Sequence, residues 1–545
     1  MSGYSRETRT YHFTEDKMSS NTREFDEVFH HVKEFGPYQF FWYNFLYAFT
    51  TLPMMPPLTN ILFAMGIPDF HCADDNTTCS ANTCCDNCTN YAYDGPFTSV
   101  ASEWDLICDK AAVVPLLQMM FYVGSLLLSP VIGPLSDRFG RKKCLFGSMA
   151  IAVCNFLLVR LLVKETNYGK FCGGLGSAFA NSVPLFGFME FVLGCGYVGV
   201  VLSVYTLNME LVGPARRTLA GNLNEFYWTF SSLFSMMLVY LIREWRTLVW
   251  VSALPCLVLL FLYPLVPRSP RWLVAHGHLD EAMTVLLRFG GKNNKAVDQV
   301  KLRALVDEIR ANQTLKESDK TRRTPIDLLR TPKMRKWIMI LSYNWFVTNL
   351  VSNALFLVML NLAGNLYLNS TLYSVVVVPM LPFTWLLMKS IGRRLTNAVL
   401  FALCAVICIL VSVFPDKGML TTGLAITGFA FVYGTWTTTY ILTTELFPTV
   451  IRNTALSAGS TVGRLGGIIS PYIAMIGSLN GMNMSLPMGI FAGLTSLAVM
   501  ATYWLPETKF SPMHQTIEEA EEAVDYYGIP CCERPAIATT SSLIT

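Results

Sequence analysis

The chain has 545 residues, of which 52% are hydrophobic and only 14% charged, with a formal net charge of +3. A soluble domain carries about a quarter charged residues, so bulk composition excludes a soluble protein, and so small a net charge excludes nucleic acid as a partner. No nucleophile elbow, zinc-ligand run, dinucleotide fingerprint or Walker A sequence appears, so neither an enzyme nor a bound cofactor or metal is expected.

The first 36 residues are polar and lack the apolar stretch and cleavage site of a signal peptide. Apolar stretches of about 20 residues, the length that spans a hydrocarbon core, then recur at 38–64, 112–134, 144–163, 184–207, 217–241, 246–266, 336–360, 371–389, 397–414, 419–443, 454–476 and 485–505. The expected architecture is therefore all-α and integral to a membrane, with twelve spans. Its organisation is a segment 1–36, a six-span half 37–266, a polar loop 267–335, a second six-span half 336–505 and a tail 506–545.

Spans 1 and 2 are separated by a polar loop, 65–111, holding Cys72, Cys79, Cys84, Cys85, Cys88 and Cys108 and the sequons at Asn76 and Asn87. Six cysteines on an oxidising side read as a disulfide framework, with fifteen possible pairings. Further sequons at Asn369 and Asn483 fall in loops on the same side.

Cations follow the even-numbered spans: Arg138, Arg141, Lys142 and Lys143 after span 2, Arg216 and Arg217 after span 4, Arg393 and Arg394 after span 8, Arg452 after span 10. The positive-inside rule puts these residues, and with an even span count both termini, in the cytoplasm. The loop 267–335 reads as two or three amphipathic helices, for example 279–289 and 297–311, lying on the inner membrane surface.

The cytoplasmic signals repeat. GPLSDRFGRKK at 133–143 is echoed by IGRR at 391–394, ELVGPARR at 210–217 by ELFPTVIR at 445–452, and PRSPR at 267–271 by PETK at 506–509. In the second pair each Glu stands seven residues before its Arg. This is a six-plus-six repeat. Asp137, Arg138, Arg141, Glu210, Arg217, Arg393, Glu445, Arg452 and Glu507 read as a charge latch that pairs across the two halves in one conformation and separates in the other. Simple positive-inside anchoring is the plainer alternative.

With SEWDLICD at 102–109, SPRWL at 269–273, the run 445–453 and TIEEAE at 516–521, these motifs resemble the major facilitator superfamily and, within it, the organic cation, organic anion and carnitine transporters. The resemblance covers nearly the whole chain. It implies a plasma-membrane carrier of small organic ions or zwitterions working by alternating access, with an Na⁺ or H⁺ coupling ion and membrane lipid as its other partners. Three positions depart from the family pattern: Glu190 where an arginine is usual, Arg268 where a glutamate is usual, and Val377 for a glutamate.

Ionisable groups inside spans are costly and usually functional. Arg464 lies twelve residues past Arg452 in STVGRLGG at 460–467, about 18 Å along the axis and so near mid-membrane. In the resembled family this position is acidic in cation carriers and arginine in anion and carnitine carriers, which implies a carboxylate-bearing substrate. Glu225, two turns into span 5, could hold a quaternary amine, pair with Arg464 or take part in proton coupling. Tyr205, Trp228, Trp345, Phe346, Trp436 and Tyr440 are candidate cation-π and stacking surfaces around a substrate; Tyr205 in particular matches a tyrosine that faces the cavity in the family. Two alternatives stay open: an organic-cation carrier resting on Glu225 and the aromatics, and a non-transporting receptor or sensor on the same fold.

Overall fold

The computed structural model describes residues 25–528 apart from 74–83, 85–87, 89, 95–96, 163–182, 214–215, 252–253, 319–326, 360–361, 416–417, 449–450, 477–483 and 510–516. Its first six-helix half contains α1 (Pro37–Phe63), α2 (Val113–Phe139), α3 (Arg141–Leu162), α4 (Val183–Glu210), α5 (Arg217–Leu241) and α6, described in two runs, Trp245–Val251 and Leu254–Phe261. The second contains α7 (Pro332–Val358), α8 (Leu366–Ile391), α9 (Arg393–Val413), α10 (Met419–Leu446), α11 (Arg452–Ile476) and α12 (Ser485–Tyr503). The twelve expected spans are thus met by twelve helical positions. Of these, α2, α4, α8, α9 and α12 are long and apolar enough to cross a bilayer on composition alone. Several of the others bury polar side chains, among them Thr50 and Thr51 on α1, Asn344 and Thr348 on α7 and Thr435, Thr438 and Thr439 on α10.

Within each half the helices approach closely where side chains vanish. Gly124 of α2 and Gly194 of α4 face each other's turns, and a Cβ at Gly194 would stand 1.9 Å from the Phe121 carbonyl oxygen. Only glycine permits backbones this near, the packing that small residues allow in membranes. The two halves meet along a symmetric pair of seams, α2 against α11 and α5 against α8. Helix ends are set by ordinary signals: Asn365 Oδ1 accepts from Tyr367 N at 2.9 Å and Leu368 N at 3.2 Å to start α8, and Pro332 opens α7.

At the end of the molecule bearing the cysteine loop, Phe70–Cys72 and Tyr91–Tyr93 form a two-stranded antiparallel ribbon, with His71 opposite Ala92. Disulfides join Cys72 to Cys88 and Cys84 to Cys108; Cys79, Cys85, Asn76 and Asn87 lie outside the described residues, as does Asn483. The glycosylation expected at Asn369 is corrected. Asn369 lies in the first turn of α8, is 1% exposed, and its Nδ2 donates to Ala363 O at 3.2 Å, so the nitrogen a glycan needs is turned inward.

At the opposite, basic end the loop between the halves folds into the helices Pro270–Ala275, Leu279–Lys292, Gln299–Ser318 and Asp327–Arg330. The first three bury Leu273, Leu286, Phe289, Leu302, Val306 and Ile309 against one another and against Phe25, Val28, Phe29 and Val32 of the amino-terminal segment. Burial of four such apolar side chains contributes about 1.5–3 kcal/mol each. Polar ties fix the same segment: Arg271 Nη2 donates to Asp26 Oδ1 at 2.7 Å, Lys295 Nζ to His30 O, and Gly213 N to Glu34 O at 2.8 Å.

Candidate functional site

Among the described residues, Arg464, Glu225 and Glu190, the last 8% exposed on α4, are ionisable groups inside the helix bundle. Arg464 occupies the middle turn of α11; it has no carboxylate partner among the described residues, and its Nε is buried without an acceptor. The groups its charge acts on are Tyr122 of α2 and Tyr197 of α4. Tyr122 Oη in turn donates to Asn353 Oδ1 of α7 at 2.8 Å, and Asn353 Nδ2 to Asn349 Oδ1 at 3.1 Å. A polar chain therefore runs from one half to the other beside the guanidinium.

Glu225, on α5, accepts from Asn224 Nδ2 at 3.1 Å and has no basic partner among the described residues. Its charge acts on a different set of hydroxyls, Tyr43, Tyr205, Tyr433 and Tyr440. Arg464 and Glu225 are therefore not an ion pair; each has its own tyrosine surround. Trp228 links them: it stands three residues beyond Glu225 on the same face of α5, and its ring lies 6.4 Å from that of Tyr197.

The remaining aromatics close the site. Tyr205 of α4 and Tyr440 of α10 meet edge-on at 6.0 Å across the two halves. Trp345 packs edge-on against Trp436 at 5.6 Å and Tyr440 at 6.2 Å. Trp345 corrects the expectation that it lines the cavity: it is 4% exposed, its Nε1 donates to Thr443 Oγ1 at 3.1 Å, and it holds Trp436 and Tyr440 from behind. Phe346 is partly buried against the core.

Between this site and the cysteine-loop end, the halves touch through Ser232 and Ser374 at 2.6 Å, and Tyr367 of α8 receives the rings of Phe63 and Tyr240 at 5.8 and 5.5 Å.

Sequence reasoning missed Tyr43, Tyr122, Tyr197 and Tyr433. For Tyr433 a signal existed: 433, 436 and 440 fall on one face of a helix at i, i+3 and i+7. For Tyr122 there was none, since its role depends on α11 lying beside α2.

Among the described residues, the charges expected to form the latch pair within each half. Arg141 pairs with Asp137 and, through Nε, with Glu210 Oε1 at 3.1 Å. Arg393 Nε sits 3.3 Å from Glu445 Oε2, which also accepts from Thr508 Oγ1 at 2.5 Å. Glu507, fully buried, accepts from Arg393 N at 2.8 Å, Arg394 N at 3.1 Å, and Thr508 N and Lys509 N at 3.1 Å each. Gly392, at φ +91°, makes room for this carboxylate, 2.5 Å from where a Cβ would sit. The reason is geometric: each Glu ends the fourth helix of its own half, beside the start of that half's third helix. Arg138 lies over the Phe139 ring at 5.4 Å, Arg452 Nε donates to Phe447 O at 3.4 Å, and the Arg217 side chain is outside the described residues.

Comparison with known proteins gives a consistent result. The model of the family "Sugar (and other) transporter" matches residues 76–522. "Solute carrier family 22 member 7" of Bos taurus is 32% identical over 426 residues, 78% of this chain and 73% of its own. "Solute carrier family 22 member 15-like" of Xenopus tropicalis is 32% identical over 513 residues, 91% and 96% of the two chains. Among solved structures, the major facilitator proton:xylose symporter XylE superposes with a TM-score of 0.62 at 16% identity, covering 89% of this chain and 98% of that one.

Proposed function

We propose, since this chain belongs to the sugar (and other) transporter family and within it to solute carrier family 22, that it carries small organic ions bearing both a carboxylate and a cationic group. The observation that carries this reading is Arg464, a mid-helix guanidinium with no carboxylate partner among the described residues. An uncompensated buried charge is expensive, and a substrate carboxylate, held in bidentate fashion, would relieve that cost only while bound. Glu225 with Tyr205 and Tyr440 gives the second pole, suited to a quaternary amine. A zwitterion such as carnitine satisfies both.

In this reading the basic end faces the cytoplasm with both termini, and the cysteine loop lies outside the plasma membrane, glycosylated at Asn76 and Asn87 and, in a later loop, at Asn483. Transport draws on an Na⁺ or H⁺ gradient or on exchange, and the protein is not an enzyme. A non-transporting receptor is set aside, because the relatives are named as carriers. An organic-cation carrier is the second reading, favoured by Glu225 among its tyrosines. Uptake of labelled carnitine, a simple organic anion and tetraethylammonium by oocytes separates these, with Arg464→Asp beside the wild type. Carnitine uptake that falls at least about tenfold in the variant, the cost of one lost charge-assisted contact, supports the zwitterion. Tetraethylammonium uptake unaffected by the substitution, with no carnitine uptake in either protein, sinks it in favour of the cation carrier.

A further inference from the structure

The two halves finish the start of their third helices differently. In the second half, Glu507 accepts from the backbone nitrogens of Arg393 and Arg394, while Arg394 Nη1 donates to Leu505 O at 3.2 Å. In the repeat, Lys142 takes the place of Arg394 and Arg268 the place of Glu507. Lys142 repeats its counterpart's contact, donating from Nζ to Val266 O at 2.7 Å, and its ammonium lies 4.3 Å from the Tyr263 ring centroid. The carboxylate is missing, and a second cation stands in its place.

A cavity of about 230 Å³ opens there, lined among others by Lys142, Tyr263, Val266, Arg268, Thr284 and Arg288, with no acidic residue in its wall. Lys142 is 8% exposed and has no acidic partner among the described residues; Arg268 is turned also to Glu281, which lies outside the wall. Arg268 shares its charge with Glu281, but Lys142 and Arg288 face the cavity with no acidic residue in its wall, and an anion placed there relieves the repulsion among the three cations. At the end of α6 and just past it, next in sequence to the cavity-lining Tyr263, Pro264 and Val266, Phe261 is 83% exposed and Leu265 58%, as lipid-facing side chains are.

We propose that this cavity holds the phosphate headgroup of an acidic phospholipid, the phosphate supplying the negative charge that Glu507 supplies in the other half and the acyl chains running along α6. Arg268 and Arg288 are donors to the phosphate oxygens, and Lys142 is the buried counter-charge beneath them.

The test uses the purified full-length protein in phosphatidylcholine nanodiscs, titrated with dioctanoyl phosphatidic acid, dioctanoyl phosphatidylcholine and inorganic phosphate. Phosphatidic acid is expected to bind at least about tenfold more tightly than either competitor, with Arg268→Glu, which restores the internal carboxylate, and Arg288→Gln each weakening it by about tenfold. Inorganic phosphate binding as tightly as phosphatidic acid overturns the lipid source in favour of a free anion. Binding unchanged in Arg288→Gln, at an exposed position, overturns the site itself, whatever the fate of Arg268→Glu.

Discussion

The basic ends of the two halves are built from the same parts, and the contrast between them separates what the duplication supplied from what each copy has since been used for. In the second half Arg393, Glu445, Thr508 and Glu507 form a closed network, with one carboxylate buried completely at the start of α9. In the first half Arg141 still holds Asp137 and Glu210, but Arg268 stands in place of the buried carboxylate, paired outward with Glu281, and the cavity beside it is lined by Lys142, Arg268 and Arg288 with no acidic residue in its wall. A satisfied network rigidifies; an unsatisfied one is poised to bind.

The largest effect should come from breaking the complete copy. Glu507→Gln leaves Arg393, Arg394 and their backbone nitrogens facing a neutral amide, and loss of one partner of a buried charge cluster costs about 3 kcal/mol. The thermal unfolding midpoint of the purified protein should fall clearly, and an unchanged midpoint would show that the network is incidental. Next, Gly392→Ala and Gly140→Ala ask the same question of both halves. Both glycines have positive φ, +91° and +97°, so both variants carry about 1–2 kcal/mol of backbone strain. Only at Gly392 does the new methyl also meet a carboxylate, at 2.5 Å against 3.4 Å to Trp272 at Gly140. The Gly392 variant should therefore unfold at the lower temperature.

Arg268→Glu runs the comparison backwards by restoring a carboxylate to the first half. In lipid-free detergent the new carboxylate should contribute about 1 kcal/mol at the helix start, against about 0.5 kcal/mol lost with the exposed Arg268–Glu281 pair, so the midpoint should rise slightly; a lowered midpoint would mean the repeat positions are not equivalent. Asp26→Asn is the smallest perturbation. It removes a partly exposed pair with Arg271, whose side chains are 39% and 21% exposed, and after screening by solvent should cost about 0.5 kcal/mol.

Much of this contrast was readable in the sequence, and the unreadable parts have physical reasons. Glu210 and Glu445, each seven residues before an arginine, and the echo of 133–143 at 391–394 identified the charge clusters, because a duplication preserves chain spacing. Spacing carries no information about which half supplies the partner, so it did not show that the described pairs, Arg141 with Asp137 and Glu210 and Arg393 with Glu445, lie within each half. The apolar runs gave twelve helices because hydrocarbon thickness fixes their length. Arg464 and Glu225 stood out because charges are scarce inside spans, whereas Tyr122 and Tyr197 did not, since aromatic residues are common there and only packing gives these two their neighbour. Asn369 bears the sequence pattern of a glycan acceptor, but the first turn of α8 turns it inward, and no local pattern reports that.

The amino-terminal segment has a mechanical consequence. Phe25 to Val32 packs on the first three loop helices, Asp26 tied to Arg271, and Glu34 continues the attachment to Gly213 at the end of α4. Leu328 of the fourth loop helix packs on the second half, but the first three are cargo of the first half, carried wherever it rocks. A molecule that grips them from the aqueous side takes hold of one jaw only and leaves the other free to swing. To stall the cycle from there, it would have to reach past these helices and brace against the second half as well.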